Sequence, residues 1–399
     1  MERRELAARL GAGAPAARPG RPWVIEARRP ARFMELFAQA LAAGGEIFLA
    51  DPAWRASERA VLARHADGGP AAERGWLMVP SGGASGGLKF ARHDSHTIGA
   101  AVRGFCGHFG LGRVNSVCVL PLHHVSGFMA WMRSAMTGGT FVPWDWKDVE
   151  AGRYPASLPA DCCISLVPTQ LQRLLGSPGA ADWLRRFRIV FVGGAPAWGG
   201  LLDEAAAQGL ALSPGYGATE TAAMVAALRP EEFLRGLRGC GTALPHARID
   251  LADGGIVRVS GESLYRGYHP QLREERVWTS GDHGAFDANG SLVILGRSDD
   301  VIVTGGKKVS PAEVEAALLA SGEFEDVAVV GVADPQWGQV VVACHPAESA
   351  APRPEKVATA LAALAPFKRP KRYVAVSPWP RNAQGKVNRA ELRNLAGGG

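Results

Sequence analysis

A chain of 399 residues is long enough for two or three hydrophobic cores, and 47% hydrophobic with 21% charged residues is a globular composition that excludes a disordered or fibrous protein. The formal charge of +6 suits anionic partners such as nucleotides or CoA, but the basic residues are scattered, and the densest group, Lys368-Arg369-Pro370-Lys371-Arg372, reads as a solvated face that gives no support to a nucleic-acid partner. Six cysteines without Cys-x-x-Cys spacing indicate neither zinc nor disulfides, residues 1 to 22 lack an apolar signal region, and no apolar run could span a bilayer, so the expectation is a cytoplasmic protein with reduced thiols and no membrane insertion.

Residues 11 to 22 are rich in Gly, Ala, Pro and Arg and read as a loose connection. Apolar spacing predicts a helix from Arg32 to Ala43 and a buried strand from Ile47 to Ala50. A second short apolar run, Trp76 to Val79, leads into Ser81-Gly82-Gly83-Ala84-Ser85-Gly86-Gly87-Leu88-Lys89, and helical spacing resumes from about Thr97 to Phe109. Strand, glycine loop and helix in that order can gather backbone N–H groups around an anion, with two serine hydroxyls and the Lys89 charge as further donors. The spacing is neither that of the P-loop nor the dinucleotide fingerprint. Glycine makes up 50 residues, so in isolation the stretch reads as a flexible surface loop.

Further along, Ser116 to Leu122, Thr140 to Pro143, Cys163 to Val167 and Arg188 to Val192 read as strands, with helices through Phe128 to Arg133, Gln170 to Leu175 and Leu201 to Gln208. This alternation predicts largely parallel sheets covered by helices. Gly193-Gly194-Ala195-Pro196 then falls at the carboxyl end of a parallel strand, where open α/β sheets hold ligands. From Ala247 the pattern changes to short β segments, Ile256 to Ser260, Leu264 to Tyr268, and a hairpin over Phe286 to Leu292 turned by Asn289-Gly290. After Ser298-Asp299 a small α+β unit is expected. It begins with Val301 to Val303, and Ser310-Pro311-Ala312-Glu313 reads as a capping box opening a helix from Pro311 to about Ala320. Strands Val327 to Val332, Val340 to Ala343 and Tyr373 to Val376, with a helix near Lys356 to Ala365, complete it.

Five segments, in order, resemble the adenylate-forming superfamily of acyl-CoA synthetases, luciferases and peptide-synthetase adenylation domains. They are Ser81 to Lys89, Tyr216-Gly217-Ala218-Thr219-Glu220, Ser280-Gly281-Asp282, Gly296-Arg297-Ser298-Asp299-Asp300 and Asn382-Ala383-Gln384-Gly385-Lys386. The resemblance covers about residues 76 to 390. It implies an α/β fold with a large domain, 1–298, of parallel-type sheets, helices and a small β subdomain, then a small mobile α+β domain, 299–399. ATP, Mg²⁺ and CoA are the implied cofactor and co-substrates, and a small carboxylic acid the substrate. Self-association into a homo-oligomer is left open.

By that resemblance Ser81, Gly82, Gly83, Ser85, Gly86 and Lys89 would hold the β- and γ-phosphates, Thr219 the α-phosphate and Glu220 the Mg²⁺. Gly193, Gly194 and Ala195 would form an adenine slot lined by Tyr216 and Gly217, and Asp282 with Arg297 would bind ribose. Lys386 would bridge carboxylate and α-phosphate, Asp299 would be the hinge, and Gly305-Gly306 would lie beside CoA. Asp300 reads as an exposed turn residue. Two departures stand out: Leu88 replaces the proline common before the loop lysine, and Gly82 and Ala84 replace hydroxyl residues.

Within the superfamily, His124-Val125-Ser126-Gly127, Gly193 to Pro196, Tyr216 to Ala222 and Gly305 to Val309 are most similar to the o-succinylbenzoate–CoA ligases. That implies adenylation of o-succinylbenzoate and transfer to CoA in menaquinone or phylloquinone synthesis. His124, Ser126 and Arg133 are then candidates for the second carboxylate of such a substrate. The alternatives are another aryl or fatty acyl-CoA ligase, an enzyme that loads a carrier protein, and a nucleotide-binding module without catalysis.

Overall fold

In the computed structural model, which describes residues 2–11, 22–67, 75–82, 87–349, 351–381 and 386–397, three sheets and their helices precede a smaller unit built on two more. The first sheet is ordered β1 (Trp23–Glu26), β2 (Ile47–Ala50), β3 (Leu77–Gly82), β4 (Leu88–His93), with β1, β2 and β3 parallel and β4 antiparallel. Helices α1 (Arg3–Arg9), α2 (Pro30–Ala43) and α3 (Ala56–Ala66) belong to this part, and α4 (Ser95–Phe109) follows β4. Asp94 starts α4 by accepting from the backbone N–H groups of His96 and Thr97.

The central sheet comprises β5 (Asn115–Cys118), β6 (Phe141–Pro143), β7 (Cys162–Leu166), β8 (Ile189–Val192), β9 (Leu212–Ala218), β10 (Ala223–Ala227) and β11 (Thr242–Ala243). Its spatial order is β11-β10-β9-β8-β7-β5-β6, parallel from β9 to β6. Strands β7 and β8 are almost wholly buried, as apolar runs in a parallel sheet covered on both faces must be. Helix α5 (Val125–Thr137) packs Phe128 and Trp131 against Phe37 of α2, joining the first two sheets in one core. Helices α6 (Trp146–Glu150), α7 (Pro168–Leu175), α8 (Ala180–Leu184), α9 (Gly199–Ala207) and α10 (Pro230–Leu234) complete this layer. A third, antiparallel sheet follows: β12 (Ala247–Ala252), β13 (Ile256–Gly261), β14 (Val277–Phe286), β15 (Leu292–Arg297).

Beyond β15 come the hairpin β16 (Ile302–Thr304) and β17 (Lys307–Val309), helix α11 (Pro311–Ala320), the sheet of β18 (Ala328–Asp334), β19 (Gly338–Pro346) and β20 (Arg372–Val376), and helices α12 (Pro354–Leu361) and α13 (Arg389–Gly397). Helix α11 has its own core of Val314 and Leu318 against Val329 and Val341, while Ala316 and Leu319 also pack on the cluster containing Trp198 and Leu201.

The α/β architecture agrees with the sequence, and several local expectations do not. The glycine loop joins two strands of a hairpin, Ser81 opposite Lys89, so β4 intervenes before the helix. Leu264 to Tyr268 is irregular, apart from an isolated bridge between Tyr268 and Ala91. The capping box at Ser310 does not close. Its hydroxyl donates to the Leu295 carbonyl and Glu313 pairs with Lys368, although α11 still begins with Pro311. Asp300 is half-buried and paired with Arg389 and Arg393 of α13, correcting its reading as an exposed turn residue. All six cysteines are free. Among the described residues no helix is long and apolar enough to cross a membrane.

Candidate active site

Four elements converge on one cleft: the β3–β4 hairpin, the turn after β9, the β14–β15 edge and the segment entering α13. The turn after β9 is a single 3-10 turn, Thr219–Thr221, followed by Ala222 and Ala223 at φ +52° and +76°. Left-handed backbone costs an alanine on the order of 1–2 kcal/mol. Thr221 offsets it locally, its hydroxyl binding the carbonyls of Ala218 and Ala223 and accepting from the Ala218 N–H. Gly217 is dictated by the fold here, because a Cβ would stand 2.0 Å from the Ala223 carbonyl oxygen. Beneath the turn, buried His93 donates from Nε2 to the Thr219 carbonyl at 2.8 Å and has Nδ1 3.1 Å from the Thr97 hydroxyl. Desolvation holds its imidazole down to about 4, the neutral form.

Glu220 is buried, and both of its side-chain hydrogen bonds fall on Oε1, from the Ser81 hydroxyl at 2.6 Å and the Tyr268 hydroxyl at 2.6 Å. Burial, then the neighbouring Glu220 charge, raises the Tyr268 phenol far above its ordinary value, so it remains a donor. Lys89 holds its ammonium 5.2 Å from the centre of the Tyr268 ring. Two hydroxyls on one oxygen leave the Oε2 lone pairs, a hard oxygen donor of the kind Mg²⁺ takes. Gly83, Ser85 and Gly86 lie outside the described residues, as do Asn382 to Gly385; Gly82 closes β3.

Asp282 on β14 accepts from the Tyr216 hydroxyl at Oδ2, 2.7 Å, and lies 3.4 Å from the Arg297 guanidinium at Oδ1. Arg297 also binds Asp299 through Nε at 2.8 Å. Burial, and then the Asp282 charge, raise the Tyr216 phenol. Gly193, Gly194 and Ala195 form the turn at the carboxyl end of β8, and a Cβ at Gly193 would lie 3.2 Å from the Gly215 carbonyl oxygen, one residue before Tyr216. The expected adenine-slot residues are thus neighbours.

Lys386 stands in the open cleft, accessible to solvent yet hemmed in by protein, and this desolvation lowers its pKa; Asp282 and Glu220 act in the opposite sense, and Arg297 with the desolvation. Those three groups come from elements up to 166 residues away in the chain, Glu220 being the farthest. His124 also feels the Lys386 charge. Burial first, then His123, holds His124 down to about 3, with Asp51 opposing.

The three acyl-site candidates part company. His124 is the residue before α5, and its side chain does not cap the helix. Ser126 is exposed on the first turn of α5. Arg133 is buried two turns on, its guanidinium 4.0 Å from the centre of the Phe105 ring and its Nε without a hydrogen-bond partner. Desolvation lowers it to about 10, which still leaves a cation at neutral pH. It lines a cavity of about 10 Å³ with Ser116, Cys163 and Ser165, room for one water or the tip of an anionic group. Gly305 and Gly306, at φ +54° and +74°, form the β16–β17 turn, with Gly305 donating its N–H to the Trp337 carbonyl.

Sequence reasoning missed Tyr268, His93, Asp51 and His123. Asp51 immediately follows the buried strand β2, a placement that could have marked it.

Residues 76–269 match the family model of AMP-binding enzymes, and residues 313–386 match the model of the AMP-binding enzyme C-terminal domain. A 2-succinylbenzoate–CoA ligase of Geobacillus kaustophilus (strain HTA426) is 34% identical over 298 residues, 70% of this chain and 60% of the relative. The chain thus spans about three fifths of the length of the curated relatives it matches. Among solved structures, Bacillus subtilis o-succinylbenzoate CoA synthetase in complex with the acyl-adenylate intermediate OSB-AMP superposes with a TM-score of 0.80 at 22% identity, covering 98% of this chain and 91% of that one. An amide bond synthetase from Marinactinospora thermotolerans superposes with a TM-score of 0.76 at 24% identity, covering 99% and 93%. These two likenesses establish the shared fold.

Proposed function

We propose that this chain, which belongs to the AMP-binding enzyme family, is an AMP-forming acyl-CoA ligase that adenylates o-succinylbenzoate and transfers the acyl group to CoA. The observation that carries the reading is that Asp282 and Glu220 both lie within electrostatic reach of Lys386 on one cleft. A carboxylate is a poor electrophile, and joining it to AMP supplies a leaving group. Two anions must approach in line for that step, so the site needs fixed positive charge and donors where negative charge accumulates.

In this reading Lys386 stands between the incoming carboxylate and the α-phosphate, and the Thr219 hydroxyl contacts the same phosphate. Ser81 and Lys89 face the outer phosphates, joined by Gly82, Gly83, Ser85 and Gly86. Glu220, oriented by Ser81 and Tyr268, would hold Mg²⁺, which when bound offsets phosphate charge. Asp282, fixed by Tyr216, takes the ribose hydroxyls with Arg297 beside it. The adenine lies along Gly193 to Ala195 and Gly217.

Arg133 is the group best suited to the second carboxylate of the substrate: a buried cation with an unpartnered Nε offers a charge-assisted contact that an apolar pocket otherwise lacks. His124, before α5, and Ser126, on its first turn, remain the other two candidates for the acyl group. Residues 1–298 would form the nucleotide- and acyl-binding domain and residues 299–399 a domain that turns about Asp299, withdrawing Lys386 and bringing Gly305-Gly306 to CoA.

Carboxylate-dependent ATP–pyrophosphate exchange across aryl and alkyl acids, followed by detection of the CoA thioester, tests this. Exchange and thioester with o-succinylbenzoate are expected. Absence of exchange with every acid would overturn the enzymatic reading, and exchange confined to fatty acids would overturn only the substrate.

A further inference from the structure

Asp51, His123 and His124 bring one carboxylate and two imidazoles together, and their potential ligand atoms all lie within 4.8 Å of one another. None of the three belongs to the nucleotide-facing set. Asp51 is pinned at the end of β2 by the Ala53 N–H, which donates to Oδ1 at 2.7 Å and leaves Oδ2 turned toward His123. His123 is 8% exposed, and its Nε2, 3.4 Å from Asp51 Oδ2, is a buried nitrogen without an aligned hydrogen bond. A buried imidazole nitrogen without an aligned hydrogen bond is costly, and most proteins close such a gap. Here the separation already equals the edge of a tetrahedral site: nitrogen and oxygen ligands at about 2.0–2.1 Å from zinc lie about 3.3 Å apart.

We propose that Asp51, His123 and His124 form a binding site for a divalent transition ion of the zinc class, with its fourth position open to the cleft. His124 need move by at most about 1.5 Å to reach that edge length. Its ring is centred 4.4 Å from that of His123, and a rotation about its side-chain bonds covers such a distance. Both imidazoles must be neutral to ligate. Two imidazoles and one carboxylate select zinc, cobalt or nickel over magnesium, which takes oxygen ligands and keeps its water. The site therefore does not compete for the ion at Glu220. Because His124 and Lys386 are electrostatic neighbours, an occupying dication repels the Lys386 ammonium and occupies the acyl end of the cleft. The ion is an inhibitor, a consequence that rests on the ligase reading, whereas the binding does not.

Titration of the full-length protein with Co²⁺ alone, followed by its visible d–d absorption and by equilibrium dialysis, tests the site. One equivalent with a four-coordinate spectrum, displaced by Zn²⁺, is expected. His123→Phe and Asp51→Asn should each weaken binding by about a hundredfold or more, since even outer-shell changes cost ten- to hundredfold, while retaining a cooperative thermal transition and ATP binding. Zn²⁺ should raise the melting temperature of the wild type and leave that of His123→Phe unchanged. No spectrum, an octahedral spectrum, or equal uptake by both variants and wild type would overturn the proposal. In exchange assays Zn²⁺ should inhibit the wild type competitively with the carboxylic acid and spare His123→Phe. Inhibition that persists in the variant would place the inhibitory ion elsewhere, and absence of exchange would sink the ligase reading while the Co²⁺ spectrum still decides the site.

Discussion

Lys386 is placed within electrostatic reach of Asp282, Glu220 and Arg297. Desolvation lowers its pKa, and Asp282 and Glu220 partly restore the charge. A point cation held in such a setting acts on the anionic transition state at low reorganisation cost. Lys386→Ala should lower exchange by about 10²–10³-fold, the range seen on removing one such group, while thioester formation from supplied acyl-AMP should stay within a few-fold of wild type; equal loss of both steps would remove Lys386 from its assigned role. This lysine was legible in the sequence because its short motif stands at a fixed place after four others. Tyr268 was not legible. It acts on Glu220 from 48 positions away in irregular chain, and no local period marks a residue whose only distinction is where its hydroxyl ends up. Arg133 was visible as a candidate, but its burial and its unpartnered Nε follow from the packing of α5 on α4, which no pattern along α5 reveals.

At the scale of the element, β4 shows why the glycine loop was misread. Its residues Leu88–His93 end in Arg92 and His93, both buried, and two polar residues hide the apolar run that would announce a strand. Their burial is tolerated because distant partners satisfy them: Glu46 and the carbonyls of Gly75 and Pro270 for Arg92, and Thr219 for His93. Sequence can show a polar residue, but not that a partner over a hundred positions away is waiting for it. His93 makes this testable by pH. Burial holds its folded pKa down to about 4, below the ordinary histidine value of 6.5, so below about pH 6.5 the unfolded chain takes up a proton that the native state refuses. Stability should therefore fall as pH drops from about 6.5 to about 4, by about 1.4 kcal/mol per pH unit from this residue. His93→Gln should flatten the pH dependence of the urea midpoint over that window; an unchanged slope would show that His93 is not held neutral. By contrast, the parallel pairing of the central sheet was legible for β5 to β9, because buried apolar strands alternating with helices favour it, whereas the antiparallel β10 and β11 and the spatial order were not.

For the whole molecule, two sets of contacts matter: those that hold the last hundred residues together and those between them and the rest. Asp300 ties the chain just after β15 to α13 through Arg389 and Arg393, and Arg389 is itself held by both oxygens of Glu315 on α11. Asp300→Ala should lower the stability of the small unit by about 1 kcal/mol, as expected for a partly exposed ion pair. Faster hydrogen exchange in β18 and β19, with β7 and β8 unchanged, is the expected signature; equal acceleration in both sheets would mean that the two unfold as one body. Helix α11 meets the large unit differently. It presents Ala316, Leu319 and Ala320 to α9, where a Cβ built on Gly200 would stand 3.9 Å from the Ala320 methyl carbon. Glycine against alanine interlocks no side chains. Beside that pair, however, Ala316 and Leu319 pack on the cluster of Trp198 and Leu201, so turning the small unit about Asp299, as proposed above, would uncover their hydrocarbon, and exposed hydrocarbon is what gives a protein transition its large heat capacity. The balance between two such positions would then carry a heat capacity of its own, a fraction of that of folding, and would bend with temperature in the same sense as the folding equilibrium of the chain.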